Sequence, residues 1–303
     1  MKKMFKENIL GMLSVLIIVL CFSISAIRDI KMENYNYQLD MSHYEEYCQE
    51  NECKEEYKPV LYKMDSIGRM AYTVHSSGFR YITYFLILLI TIPGTHQLYK
   101  ELHSEYFKNV ITRTTYKKYM WQKLKQALKK TIWIFPVAFL LCFGVSIILS
   151  KGIIDINYTY QYAMPGISLP PEYYLKNFAL TSIGFLINLL LFTFISINIG
   201  LINCKKSKNF ILCIGMDLIV SFVATILITV ILGVVLGEMI LKIPNAADYV
   251  SLHYLLAYGT SENANRYEMF FVTCSLLVMT VLSFITTYIS YKNKEKVLIE
   301  IEK

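Results

Sequence analysis

Long runs of apolar residues with almost no charge limit what this chain can fold into more than any motif does. Asn8–Ile27, Tyr81–Leu98, Thr131–Ser150, Asn177–Cys204 and Phe270–Tyr291 contain no Asp, Glu, Lys or Arg, and Asn209–Leu241 contains only Asp217 and Glu238. A hydrocarbon core about 30 Å thick is crossed by about 20 apolar residues of helix, which satisfy their own backbone amides. The pattern predicts an all-α polytopic membrane protein with six transmembrane helices. Only 17% of the residues are charged, against about a quarter in a soluble domain. Lys2, Lys3 and Lys6 precede the first run, and Ser23-Ile24-Ser25 has the form of a cleavage site. That run is longer than the roughly 7–15 residues of a signal peptide, so an uncleaved helix is expected.

Orientation follows from the basic residues. Segments 1–7, 99–130, 202–208 and 292–303 hold 19 Lys/Arg in 58 residues, whereas 28–80, 151–176 and 238–268 hold 11 in 110. Basic loops stay in the cytosol. The expectation is a multi-pass protein of the cell membrane with both termini cytoplasmic. The net charge of +7 is then a topology signal, and no nucleic-acid partner is expected. The Lys-, Ile- and Asn-rich style points to a bacterium, where the sequon Asn157-Tyr158-Thr159 carries no meaning.

One membrane domain is expected over 1–303, with three appendages. Segment 28–80, with 7 basic and 10 acidic residues, predicts a compact extracellular cap of short helices. Cys48 and Cys53 lie there and form a disulfide candidate if that face is oxidising; two free thiols are the alternative. His43, Cys48 and Cys53 match no zinc spacing, so no metal is expected. Cys21, Cys142, Cys204, Cys213 and Cys274 fall in or beside the spans as packing residues. Segment 151–176, with Pro165, Pro170 and Pro171, predicts a loop. Residues 209–241 would make a helix about 50 Å long, so the run must tilt, break or turn back, with Gly233 and Gly237 available for a break. Val250, Leu252, Tyr254, Leu255 and Leu256 then form a short apolar run ended by Gly259. It predicts a re-entrant or interfacial helix, Ala247–Gly259, within an outer segment 238–268.

The third appendage is 99–130. Residues 104–130 carry eight Lys/Arg and one acid. Steps of four align Tyr116, Met120, Leu124 and Leu128 on one face and Lys118, Gln122, Gln126 and Lys130 on another; Leu98, Leu102, Tyr106 and Val110 align upstream. Two amphipathic helices are predicted, Tyr99–Arg113 and Thr115–Lys130, with a bend near 112–115. A plain basic loop is the alternative.

With Glu101 and Glu105 upstream, Lys108-Asn109-Val110-Ile111-Thr112-Arg113 and Lys117-Lys118-Tyr119 resemble the cytoplasmic elbow of type-2 ATP-binding-cassette (ABC) exporter permeases, with Lys123 as its later lysine. Thr114-Thr115 stands where that family has a proline, and its Gly-Thr pair is missing. The layout is also similar: six spans, both ends inside, an elbow between helices 2 and 3, and an outer re-entrant element between helices 5 and 6. The resemblance implies a permease subunit moving a hydrophobic or amphipathic peptide, lipid or drug out of the cell. It implies a cytosolic ABC ATPase subunit, a second permease chain in a homo- or heterodimer, and the lipid bilayer as partners. Coupling to the ATPase would fall to Glu101, Glu105, Arg113, Lys117, Lys118 and Lys123, with Lys123 held by an acid or a lipid phosphate.

No Gly-x-x-x-x-Gly-Lys-Ser/Thr loop occurs, so no cofactor is expected on this chain, and ATP with Mg would sit on the partner. Two readings of Asp217 stand: a pathway residue facing the bundle interior, or a carboxyl near the inner leaflet bonded by Ser or Asn of another helix. Glu238 and His96 are expected at the interfaces. No His-Glu-x-x-His, no acyltransferase His-Asp pattern and no Gly-x-Ser-Gly context is present, so an enzyme is not expected. The alternative function is a non-transporting sensor or immunity protein that binds an extracellular peptide through 28–80.

Overall fold

The computed structural model of the protein describes residues 2–50, 58–59, 64–76, 79, 82–104, 107, 116–153, 176–243, 246–247, 268–293 and 297. All regular structure among them is helical: α1 (Lys2–Glu50), α2 (Ser66–His75), α3 (Leu86–Leu102), α4 (Tyr116–Thr131), α5 (Ile134–Leu149), α6 (Phe178–Cys204), α7 (Phe210–Ile228) continuing as a π-helix over Thr229–Ile240, and α8 (Glu268–Tyr291). Five helical runs are long and apolar enough to cross a membrane: Asn8–Gln49, Tyr116–Leu149, Phe178–Cys204, Phe210–Ile240 and Val272–Tyr291. The protein is therefore membrane-embedded. Residues 99–104, 116–131, 204–208 and 291–293 lie at one end of the bundle, here called the basic end.

The second predicted span departs from its expected form. α3 begins at Leu86 and has 17 residues, with Pro93 inside it. At about 1.5 Å per residue it is about 26 Å long, short of the hydrocarbon core. α2 continues its line away from the basic end. The Ser14 hydroxyl of α1 donates to the Leu89 carbonyl at 2.7 Å, Phe22 meets Phe79 edge-on at 5.7 Å, and Glu33 meets Arg69 at 2.6 Å. These three pairs set α1 antiparallel to the α3–α2 line. α2 starts at the far end, where the Ser66 amide and hydroxyl both donate to the Ile153 carbonyl beyond α5, at 2.8 and 2.6 Å. Asp65 caps it, accepting from the Gly68 and Ile67 amides. Met70, Val74, Phe79, Phe135, Phe139 and Phe185 enclose one small apolar space. Thus α2 and Phe79 pack against the bundle.

The start of segment 28–80 also differs. α1 does not stop after Ile27 but runs to Glu50, about 74 Å in all at about 1.5 Å per residue. No Gly or Pro occurs between 28 and 50, so a helix nucleated in the membrane meets no breaker as it leaves.

α6 is the centre of the bundle and packs on α8, α3, α7, α4 and α5. Two of its buried hydroxyls turn back on their own helix, Thr193 donating to Leu189 O and Ser196 to Phe192 O, both at 2.8 Å, while its buried Asn198 reaches across to Ser283 of α8 at 3.0 Å. α3 crosses it closely at Gly200, where a Cβ would stand 2.7 Å from Thr95 Cγ2 and 3.3 Å from Thr91 Cγ2. Only hydrogen fits there without a shift. By contrast, α7 buries little more than Cys213, Asp217 and Ser221.

The long run 209–241 resolves its excess length by changing its winding. From Thr229 its hydrogen bonds step from i→i+4 to i→i+5, which puts more residues in each turn. The chain then reverses. Lys242 takes a left-handed φ of 54°, the Ile243 amide donates to Gly237 O at 3.0 Å, and Ala246 comes back against Gly237. Glu238 accepts from the Ala247 amide at 3.2 Å. Ala246 and Ala247 are helical; the rest of the predicted Ala247–Gly259 helix lies outside the described residues.

Candidate functional site

The basic end is built from three helix termini. Gln97 and Glu101 stand one turn apart near the end of α3, and Tyr119 and Lys123 one turn apart on α4. The two pairs meet. Lys123 Nζ lies 2.5 Å from Glu101 Oε2, and both side chains are only 15% exposed. Tyr119 donates its hydroxyl to the same oxygen at 3.0 Å, while Gln97 donates to Glu101 Oε1 at 2.9 Å. Lys130 reaches Gln97 Oε1 at 2.5 Å. Each Glu101 oxygen is thus bonded, and the clasp ties α3 to α4. Beyond it, Ile132–Trp133 form only a two-residue turn before α5, bridged by Ile132 N to Leu128 O at 2.9 Å and Val137 N to Trp133 O at 3.1 Å. Tyr116–Leu149 is consequently one continuous strut.

The predicted helix Tyr99–Arg113 is not continuous. α3 ends at Leu102 with His103 as its cap, and the Ser104 hydroxyl takes the Glu101 carbonyl at 2.9 Å. A serine that bonds nearby backbone competes with helix continuation. Of the six coupling candidates, Glu101 is taken up inside the clasp rather than remaining available at the surface, and it is the acid that holds Lys123. Lys117 and Lys118 are exposed. Glu105 and Arg113 lie outside the described residues.

Asp217 is fully buried. Its Oδ1 accepts from Asn203 Nδ2 of α6 at 2.8 Å, and the Ser207 hydroxyl donates to Asn203 O at 2.9 Å. Beside it, the Cys204 and Cys213 sulfurs stand 3.6 Å apart. The group pins the start of α7 to the end of α6. One turn further along α7, Ser221 and Thr225 face a groove of about 290 Å³ between α3, α6, α7 and α8, walled by residues such as Ile87, Phe192 and Met279, with Ser283 and Thr286 opposite. Asp217 is not on its wall. His96 instead packs on the Phe210 ring, 4.8 Å between centroids.

At the far end, Arg69 Nη1 and Nη2 donate to the two Glu33 oxygens at 2.6 and 2.9 Å, with the side chains 5% and 8% exposed. Burial, then the Asp29 and Glu33 carboxylates, push the neighbouring Tyr72 phenol above its ordinary pKa. The sequence reading missed this pair and the groove. An arginine on the buried face of a short helix was the available signal for the first; the second depends on how helices distant in sequence meet. Cys48 is disulfide-bonded, while Cys21, Cys142, Cys204, Cys213 and Cys274 are free; Cys53 lies outside the described residues. Among the described residues no cluster of His, Cys, Asp or Glu is placed to hold a metal. No protein-family model, curated protein or solved structure matches the chain.

Proposed function

We propose that the chain is the permease subunit of a type-2 ABC exporter in the cell membrane, with both termini and the basic end in the cytosol. A separate ATPase, holding ATP and Mg, drives it. The observation that supports this reading most is the strut Tyr116–Leu149 clasped to α3 by Glu101 and Lys123. Coupling needs a stiff element that reaches from the cytosolic surface into the spans, since a loose loop would absorb the motion. Push or pull on the start of α4 at Tyr116 is carried by α4 straight into α5, and by the clasp into α3.

The groove between α7 and α8 supports a hydrophobic or amphipathic cargo, because its wall is apolar and its few hydroxyls orient without charging it. The exposed apolar faces of α7 and α8 suit lipid or a second permease chain.

Purification of the full chain from its native membrane tests the reading. A soluble ATP-hydrolysing subunit of about 25–35 kDa, one or two ordinary domains, should come with it. K117E/K118E should lower recovery of that subunit while the permease still inserts. Absence of any ATPase would favour the alternative, a peptide sensor or immunity protein. The exposed Tyr35 and Tyr47 on the projecting part of α1 favour that second reading.

A further inference from the structure

Where α4 passes the end of α8, a second groove opens, separate from the one between α7 and α8. We infer that it is a binding site for one anionic phospholipid, with a segment of an acyl chain seated in the groove and the phosphate between Lys117 and Lys292. The groove holds about 130 Å³, and its lining includes Met120 and Trp121 from α4 and Phe284 and Tyr288 from α8. Trp121 and Phe284 rings lie 5.6 Å apart across it. Trp121 is 41% exposed and Tyr288 48%, so the groove is open on its flank and accepts a chain from the side.

The charge at its rim selects the headgroup. Lys117 and Lys292 both line the groove and both are exposed. No acid is among the lining residues, and among the described residues neither lysine has an acidic partner. The nearby Lys205 is occupied: its Nζ donates to the Ser290 carbonyl at 2.8 Å and sits over the Tyr291 ring. Lys292 follows directly on the apolar run of α8, which sets the lysine pair at headgroup depth. Trp121 and Tyr288 are the side chains that favour this depth, and a basic pocket between membrane helices is the usual form of an anionic-lipid site. The occupant would brace α4 against α8, which the Glu101–Lys123 clasp does not reach. The inference does not rest on the exporter reading, since its test needs neither ATPase nor cargo.

The chain has two tryptophans, Trp121 and Trp133. In a W133F background, Trp121 fluorescence is measured in phosphatidylcholine nanodiscs containing phosphatidylglycerol brominated on one acyl chain. The control carries the same mole fraction of brominated phosphatidylcholine. Quenching should favour the glycerol lipid by about fivefold per lysine, and K117Q and K292Q should each remove their share. Native mass spectrometry of the wild-type chain should retain phosphatidylglycerol over phosphatidylcholine, which covers a W133F variant that fails to fold. Equal quenching by the two lipids, or a preference unchanged in K117Q/K292Q, would overturn the site. Competition by soluble glycerol phosphate would overturn the lipid as its occupant.

Discussion

Among the described residues two ion pairs hold the bundle, one at each end, and they differ in kind. At the far end Arg69 grips Glu33 in bidentate fashion, with both side chains nearly out of solvent. At the basic end Lys123 meets Glu101 through one oxygen while Tyr119 and Gln97 share the acceptor, and the group keeps some contact with solvent. A buried pair leaves a stranded charge when one partner goes, whereas a wetter, shared one leaves neutral bonds and water behind. The far end is therefore locked, and the basic end is held but adjustable.

Removal of one partner tests the contrast most strongly. Arg69→Ala should lower stability by about 3–5 kcal/mol, because Glu33 is left buried and unpaired. E33L/R69M should recover much of the loss. Thermal unfolding in detergent reads both, and an R69A variant no weaker than an E101Q variant would erase the distinction between the ends.

The next effect lies between the two ends. Gly200→Ala forces Thr95 or Thr91 to move, and overpacking of this kind costs about 1–3 kcal/mol. If G200A unfolds like the wild type, the α3–α6 crossing is looser than the contacts imply, and the two ends move independently.

Further out, we expect the Cys48 bond to close on Cys53. A non-reducing digest should yield the joined peptides by mass spectrometry, and peptides with both thiols free would refute the pairing. Closing so short a loop contributes no more than about 2 kcal/mol by chain entropy. Reduction should therefore loosen the tip of α1 and leave the Arg69 pair intact, as hydrogen exchange at 40–50 against 66–75 would report.

Smallest of all is the clasp. Glu101→Gln keeps one acceptor oxygen for Gln97 and turns an amide N–H on the Tyr119 hydroxyl, which can accept it, and should cost about 1 kcal/mol or less. Its loss should shrink further as salt is raised, whereas that of R69A should not. An E101Q loss equal to that of R69A would show that the basic end is as rigid as the far one.

Several features were legible in the residues because they are local. Apolar runs mark membrane helices through backbone hydrogen-bonding need alone, and each of the five spanning runs contains one. The steps of four at Tyr116, Met120, Leu124 and Leu128 foretold α4, and the excess length of 209–241 called for a tilt, a break or a turn back, where the structure instead changes its winding. Lys123 was expected to be held by an acid or a lipid phosphate. Which acid, and that the pair would close inward, depended on the angle at which α3 and α4 meet.

Tertiary packing decided the rest. The apolar run of α2 is short and interrupted by Arg69, so it does not announce itself as part of the bundle, yet α2 enters it once Arg69 is neutralised by Glu33 on a different helix. α1 continues past Ile27 because nothing in 28–50 breaks it, a point that hydropathy does not record. α7 is as apolar as α6, but α6 is surrounded by protein and α7 presents most of its surface outward. Lipid and a helix neighbour are equally apolar solvents for a leucine, so hydropathy predicts that a helix enters the membrane and is silent on which helix it touches there.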